Sequence, residues 1–191
     1  MSNFFKKKSN IVLISVAAVV LILVIFLWSG YNGLVEQEEN IKEKHSNISV
    51  QLKKRADLIP NFVKTATAYS EYEQETFIAV TNARSAVYNA SNAKEESAAA
   101  AQLDSAIDVW VNAVTEAYPE IKSDKLYINL MDGLESTESE IAYSRKTYDE
   151  AVKEYNSKVR RFPSNLIAGM FGFEEAEYFE ISEADAAVPE V

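Results

Sequence analysis

The chain reads as an all-α protein: an N-terminal transmembrane helix followed by an antiparallel, up-and-down four-helix bundle. Three observations predict it. Ile11–Trp28 is an apolar run with Ser15 as its one hydroxyl and no charge. No glycine lies between Gly33 and Gly133, and only Pro60 and Pro119 punctuate that stretch. Beyond the apolar run, hydrophobic residues recur at alternating spacings of three and four, the period of a helix with one buried stripe.

Residues 1–10 form a basic flank, with Lys6, Lys7 and Lys8 ahead of the apolar run. Residues 11–28 rise ~27 Å as a helix, close to the ~30 Å hydrocarbon core of a bilayer. A helix is the conformation that satisfies its own backbone in that setting. A cleaved signal peptide has a similar layout. However, its apolar stretch is shorter, and Trp28-Ser29-Gly30 puts a bulky residue where a small one is preferred. A retained anchor is therefore the expectation. The first charges after it are Glu36, Glu38 and Glu39, so the positive-inside rule places the N-terminus in the cytoplasm and the bundle outside.

The bundle is expected over residues 31–173. Its first helix runs from about Leu34 to Ala56, with Leu34, Ile41, Ile48 and Leu52 on one face. Asp57 then caps a second helix carrying Pro60 in its first turn, where a missing N–H is harmless. Phe62, Ala66, Tyr69, Glu73, Thr76, Val80, Ala83 and Val87 mark its seam. The competing arrangement is one long helix from 34 to 88, kinked at Pro60. Asn89–Asn92 is a turn. A third helix spans about 94 to 118, with Leu103, Ile107, Trp110, Val114 and Ala117 inward, and Pro119 ends it. The fourth runs from about Asp124 to Phe162. Tyr127, Leu134, Ile141, Tyr148, Tyr155 and Phe162 recur every seven residues, with Met131, Glu138, Arg145, Val152 and Val159 in a companion slot. Helices that leave and return in turn bring residues 163–173 back to the membrane. That apolar segment is too short to span. It either caps the bundle or lies in the lipid interface. Arg160, Arg161, Phe171 and Phe173 are the candidate membrane-proximal residues. Residues 174–191 hold seven acids and no base, as expected of a solvated, disordered tail.

Composition narrows the chemistry. With no cysteine, thiol nucleophiles, disulfides and cysteine-ligated metals are excluded. The single histidine, His45, has Lys42 three residues before it, so the Glu-x-x-His pairs of carboxylate metal bundles are missing. A net charge of -10 argues against nucleic acid as a partner. No catalytic, cofactor-binding or metal-binding set is expected. Charges in core-type slots, Glu73, Glu138 and Arg145 with the neighbouring Arg84, are read as an interhelical salt-bridge cluster that fixes register. Arg55, Asp57 and Asn61, at the first inter-helix turn, are read as capping residues or a docking point for a partner.

Several blocks closely resemble the LemA family. Tyr31-Asn32-Gly33-Leu34-Val35 follows the anchor, and Arg55-Ala56-Asp57-Leu58-Ile59-Pro60-Asn61 is the most specific part. Tyr69 with Glu73, Ala83-Arg84, Tyr118-Pro119, Glu138-Ser139-Glu140-Ile141 with Arg145 and Tyr148, and Tyr155-Asn156 with Phe162-Pro163 and Gly172-Phe173 extend it over about residues 31–179. The family pattern usually has asparagine after the tyrosine matching Tyr148, where this chain has Asp149, and Lys54 stands where arginine is common. The resemblance implies a bacterial single-pass membrane protein with an antiparallel four-helix domain and no established enzymatic activity or cofactor. Gene neighbourhoods in the family hint at envelope quality control. It favours a turn at Pro60 over the kink.

The function expected is that of a membrane-anchored, non-enzymatic scaffold or adaptor in the cell envelope. Its contacts would be the membrane through residues 11–28 and another envelope protein, with a homo-oligomer compatible with the regular seam. The alternative is a ligand-binding module with a pocket between helices.

Overall fold

In the computed structural model, which describes residues 2–67 and 74–179, Pro60 neither begins nor ends a helix. Side chains are described for 13–61, 64 and 78–179. Five α-helices are present among these residues, and no strand: α1 Ser2–Thr67, α2 Gln74–Asn89, α3 Ala93–Ala117, α4 Lys125–Arg160 and α5 Ser164–Phe171. A short 3₁₀ turn, Pro119–Ser123, joins α3 to α4. The apolar run and the expected first bundle helix are thus one helix, α1, and Asp57 lies inside it rather than capping a new one. The kinked alternative, one helix from 34 to 88, does not hold either, because Arg84 of α2 reaches the Ala56 carbonyl of α1 at 3.1 Å, which requires the chain to fold back between them.

The helix survives its proline because the lost bond is replaced. Proline at position 60 cannot donate to the carbonyl four residues earlier, that of Ala56. Arg84 of α2 supplies the donor, its Nε reaching the Ala56 oxygen at 3.1 Å. Pro60 itself is exposed, so its ring displaces no packed side chain.

The other boundaries follow local signals. Asn92 caps α3 by accepting from the Glu95 N–H at 2.9 Å, while the Glu95 carboxylate accepts from Ser91 N–H and hydroxyl at 2.9 and 2.8 Å. These bonds hold the Glu95 carboxyl below the usual carboxylate range. Asp124 accepts from the Leu126 and Tyr127 N–H groups at 2.7 and 3.3 Å and opens α4. Between them the 3₁₀ turn buries Ile121 completely. Past α4, the cis Phe162-Pro163 peptide leads into α5. Gly172, at φ 77°, ends α5 in a left-handed conformation that a side chain would strain.

The chain divides into two compact units. Met1–Ile41 with Ala151–Glu177 make one, and Lys42–Glu150 with Tyr178–Val191 the other. In the first, Leu34, Ile41, Val152, Tyr155, Ile167 and Ala168 are buried. A Cβ at Gly30 would overlap the Ile167 side chain, so glycine permits α5 to lie directly on α1. Lys158 donates to the Gly33 carbonyl at 2.7 Å, and Asn156 exchanges two 2.8 Å bonds with the Ala176 backbone. In the second unit, Ile48, Leu52, Ala56, Ile59, Val80, Ala83, Val87, Leu103, Ile107, Trp110, Val114, Leu134, Ile141 and Tyr148 form the core. Phe179 is also buried there, and its N–H donates to Asp149 at 2.9 Å.

The heptad positions expected inside α4 are inside from Tyr127 to Tyr155, whereas Phe162 lies past the helix end and is exposed. The second stripe differs from expectation. Leu130, Thr137, Ser144 and Ala151 are buried, while Met131, Glu138, Arg145 and Val159 are half-buried, and only Val152 of the expected slot is fully inside. Ala117, expected inward, is exposed. One membrane-compatible feature stands out in α1. It is long and apolar enough to cross a bilayer, and its large apolar side chains from Leu13 to Phe26 are all exposed.

Candidate functional site

The charged residues singled out in the sequence come together in the second unit, but in different groups. Arg55 is the hub of the first. The heptad of Leu34, Ile41 and Ile48 places Arg55 in the next buried slot of α1, and the residue is only 7% exposed. Its guanidinium pairs with Glu138 of α4 and, at 3.0 Å, with Asp104 of α3. Three helices therefore meet on one planar cation, whose fork suits two carboxylates at once. Both acids keep partial contact with water, which lowers the desolvation penalty of the group. Lys54 and Glu140 form an exposed pair beside it at 2.8 Å.

Arg84 belongs to a second group. Besides the Ala56 carbonyl, it approaches Asp57 at 3.4 Å and lies over the Tyr88 ring at 5.0 Å. Tyr88 donates its hydroxyl to Asp57. That hydrogen bond holds the Tyr88 phenol above its ordinary pKa. The group closes the gap that Pro60 opens in α1.

A third group surrounds His45. Its heptad partners are Leu52 and Ile59, so the imidazole sits on a core-facing stripe and is half-buried. Glu96 of α3 shares the slot of Leu103 and Trp110 and is 6% exposed. His45 Nε2 lies 3.3 Å from the Glu96 carboxylate, and Ser49 donates to its other oxygen. The Tyr148 ring stands 6.0 Å from the imidazole and 6.2 Å from the Phe179 ring. Arg145 stacks over Phe179 at 5.3 Å. Burial pushes the Asp149 carboxyl up, against the lowering effect of the Phe179 N–H.

The expected sets are thus redistributed. Arg55, expected at a docking point with Asp57 and Asn61, is buried with Glu138. Arg84, expected with Glu138, is bonded to Asp57. Arg145 stacks on Phe179. The reason is that Arg55 continues a buried heptad, and the continuity of α1 through residue 57 removes the inter-helix turn that would have exposed it. Asn61 is exposed on α1, and Glu73 lies outside the described residues. The sequence reading missed Asp104 and Glu96. Glu96 was detectable from its slot, one heptad before Leu103.

Among the described residues, no group of three histidine or carboxylate side chains could hold a metal ion. A shallow open groove of about 830 Å³ runs between α1 and α4, with Lys44, Gln51, Asp132, Glu140, Tyr143 and Thr147 in its walls. Its lining is polar, and Arg55, Arg145 and Tyr148 take no part in it. A pocket between helices would draw on small residues that face one another, Ala66, Ala83, Ala113 and Ala151; Ala83 and Ala151 are buried, Ala113 is half-buried, and the Ala66 side chain lies outside the described ones.

In the first unit, Arg160 and Arg161 are exposed, with Arg160 3.7 Å from Glu175. Phe171 and the half-buried Phe173 pack on Tyr31, their ring centroids 4.9 and 5.6 Å away. Tyr31 lies three residues past Trp28, so these aromatic rings gather just beyond the end of the apolar run.

A model described as the LemA family matches residues 44–191. The match takes in residues 180–191, which the resemblance over 31–179 left out. Magnetosome protein MamQ 2 of Paramagnetospirillum magneticum is 27% identical over 195 residues, covering 89% of this chain and 71% of that protein. Protein LemA of Metamycoplasma hominis is 26% identical over 157 residues, covering 81% and 70%. Magnetosome protein MamQ of Magnetospirillum gryphiswaldense is 24% identical over 174 residues, covering 78% and 64%.

Proposed function

The chain belongs to the LemA family, and from that premise we propose that it is a membrane-anchored, non-enzymatic scaffold or adaptor of the bacterial cell envelope. In this reading the exposed apolar stretch of α1 crosses the bilayer once. The cationic residues Lys6, Lys7 and Lys8 stay in the cytoplasm, and the helices after the span form an up-and-down antiparallel four-helix bundle on the other side.

One observation carries the reading. Among the described residues, charged side chains singled out in the sequence are engaged between helices: Arg55 with Glu138 and Asp104, Arg84 with Asp57 and a backbone carbonyl. Charges used in this way fix helix register rather than await a substrate. A rigid acidic surface held at a membrane raises the local concentration of any partner in the same membrane. A second reading, a ligand-binding module, rests on the polar groove between α1 and α4.

Photo-cross-linking in intact cells tests the scaffold. A photoreactive residue replaces Tyr143, exposed on α4, or Val109, exposed on α3, in separate variants. The expected result is one discrete protein adduct from one position and not the other. Absence of any protein adduct from both faces would sink the scaffold reading.

A further inference from the structure

Helix α5 breaks the rule that a surface helix is apolar on one side and polar on the other. Its inward side is accounted for: Ile167 and Ala168 are 1% and 2% exposed, packed on α1 at Gly30. Its outward side is also apolar. Leu166 and Met170, one turn apart, are 59% and 64% exposed, and Phe171 is 51% exposed. Phe162, at the turn before the helix, is 75% exposed. No charged residue lies between Phe162 and Phe173. A helix with one apolar face buried and the other bare to water is under-satisfied, and contiguous patches of this kind mark a contact.

The position of α5 identifies what covers it. It rests on Gly30, and Phe171 and Phe173 rest on Tyr31, immediately past the apolar run that ends at Trp28. Trp28 is itself 69% exposed. The bare face of α5 therefore continues the exposed apolar surface of α1 within the same compact unit. Aromatic side chains gather where a span meets headgroups, and Tyr31, Phe171 and Phe173 gather here, three residues past Trp28. Eight residues, ~12 Å of helix, are too few to span but enough to lie along an interface. Arg160 and Arg161 precede the helix, but Glu174 and Glu175 follow it, and Arg160 is beside Glu175. Attraction to anionic lipid is therefore secondary, and burial of apolar surface is the main term.

We propose that α5 is an interfacial membrane anchor: Leu166, Met170 and Phe171 insert into the lipid at the headgroup–acyl boundary of the bilayer that α1 crosses. This rests on the reading of α1 as a membrane span. It resolves the two alternatives for this segment by giving each a face, since Ile167 and Ala168 cap α1 while the opposite side meets lipid. The choice of lipid over a second copy or another protein follows from the place of α5, packed on α1 at Gly30 and Tyr31 beside the end of the exposed apolar run.

The chain has no cysteine, so single nitroxide labels can be placed in the full-length protein reconstituted into phosphatidylcholine–phosphatidylglycerol vesicles. The variants are Met170→Cys and Leu166→Cys on α5, Leu21→Cys in the span and the exposed Ser139→Cys in the other unit. Paramagnetic relaxation by oxygen and by a water-soluble nickel chelate reads depth. The labels at 170 and 166 are expected to relax more with oxygen than with nickel, at a depth of roughly 5–10 Å. The label at 21 should be deeper and that at 139 aqueous. Labels on α5 that behave like 139 while 21 is deep would overturn the proposal and leave the span intact. Labels on α5 shielded from both reagents would mean a protein covers the helix, and would also overturn it. An aqueous label at 21 would remove the span itself, and with it this inference.

Discussion

The two compact units depart from the oil-drop arrangement in opposite directions. The unit holding Lys42–Glu150 buries charge: Arg55 and Glu96 are 7% and 6% exposed. The unit holding Met1–Ile41 exposes hydrocarbon, from Leu13 through Trp28 and again at Leu166 and Met170. Polarity alone explains neither. A buried cation is stable when two carboxylates share it, and an exposed leucine is stable when its solvent is lipid. What decides burial is the partner available at each position. In one unit that partner is another helix, and in the other, on the proposal that α1 spans a membrane, it is the bilayer.

Substitutions can break this contrast. The largest effect is expected for Arg55→Met. It strands Glu138 and Asp104, and the loss should be roughly 2 kcal/mol, between the ~1 kcal/mol of an exposed pair and the 3–5 kcal/mol of a fully buried one. Chemical denaturation of the full chain in detergent reads it, and further substitution with Glu138→Gln should recover part of the loss. An unchanged midpoint for Arg55→Met would show that the cluster holds nothing in register.

Next comes Arg84→Ala, expected to cost about 1 kcal/mol for a hydrogen bond to an otherwise unserved carbonyl. The diagnostic is coupling. In a Pro60→Ala background the backbone N–H of residue 60 can serve Ala56, so the same Arg84 substitution should cost measurably less. Equal losses in both backgrounds would refute the replacement of the proline's missing donor.

Smaller still is Asp149→Asn. Burial raises the Asp149 pKa in the folded chain. Its favourable contribution is therefore complete below the unfolded carboxylate range and is lost as pH rises through the raised value. Asparagine still accepts the Phe179 N–H, so the variant should gain stability near neutral pH and lose that segment of pH dependence. A variant less stable than the parent at pH 7 would show that the charged form is favoured in the fold.

The smallest effect on stability is expected on the apolar exterior. Leu166→Ala should leave the denaturation midpoint in detergent within about 0.5 kcal/mol of the parent, as for exposed positions away from special features. A large loss would mean that Leu166 is packed against protein and that the contrast between the units is false.

Much of this was written in the spacing of residues. The stripes Leu34–Ile41–Ile48 and Tyr127–Leu134–Ile141–Tyr148–Tyr155 are buried as their period requires. The same period, continued by one step, would have put Arg55 inside. A preference for apolar residues in core slots hid it, along with Glu96 and His45. Pro60 misled for a different reason. Proline is a strong local signal for a helix start, but its penalty was removed by Arg84, which is distant in sequence and invisible to any local pattern. The second stripe of α4 shows the same limit: Thr137 and Ser144 look polar, yet each hydroxyl can be served within its own helix, as Thr137 is by the Leu134 carbonyl at 2.9 Å.

The contact between Arg84 and the Ala56 carbonyl also has a consequence for the order of assembly. The stretch of α1 around Pro60 emerges from the ribosome before Arg84 does. Until α2 arrives, the carbonyl of Ala56 has only water as a donor, and the last turns of α1 should fray. Completion of α1 is then an event in the docking of α2, so a fragment truncated before Arg84 should lose helix from Pro60 onward even though every residue of that helix is present.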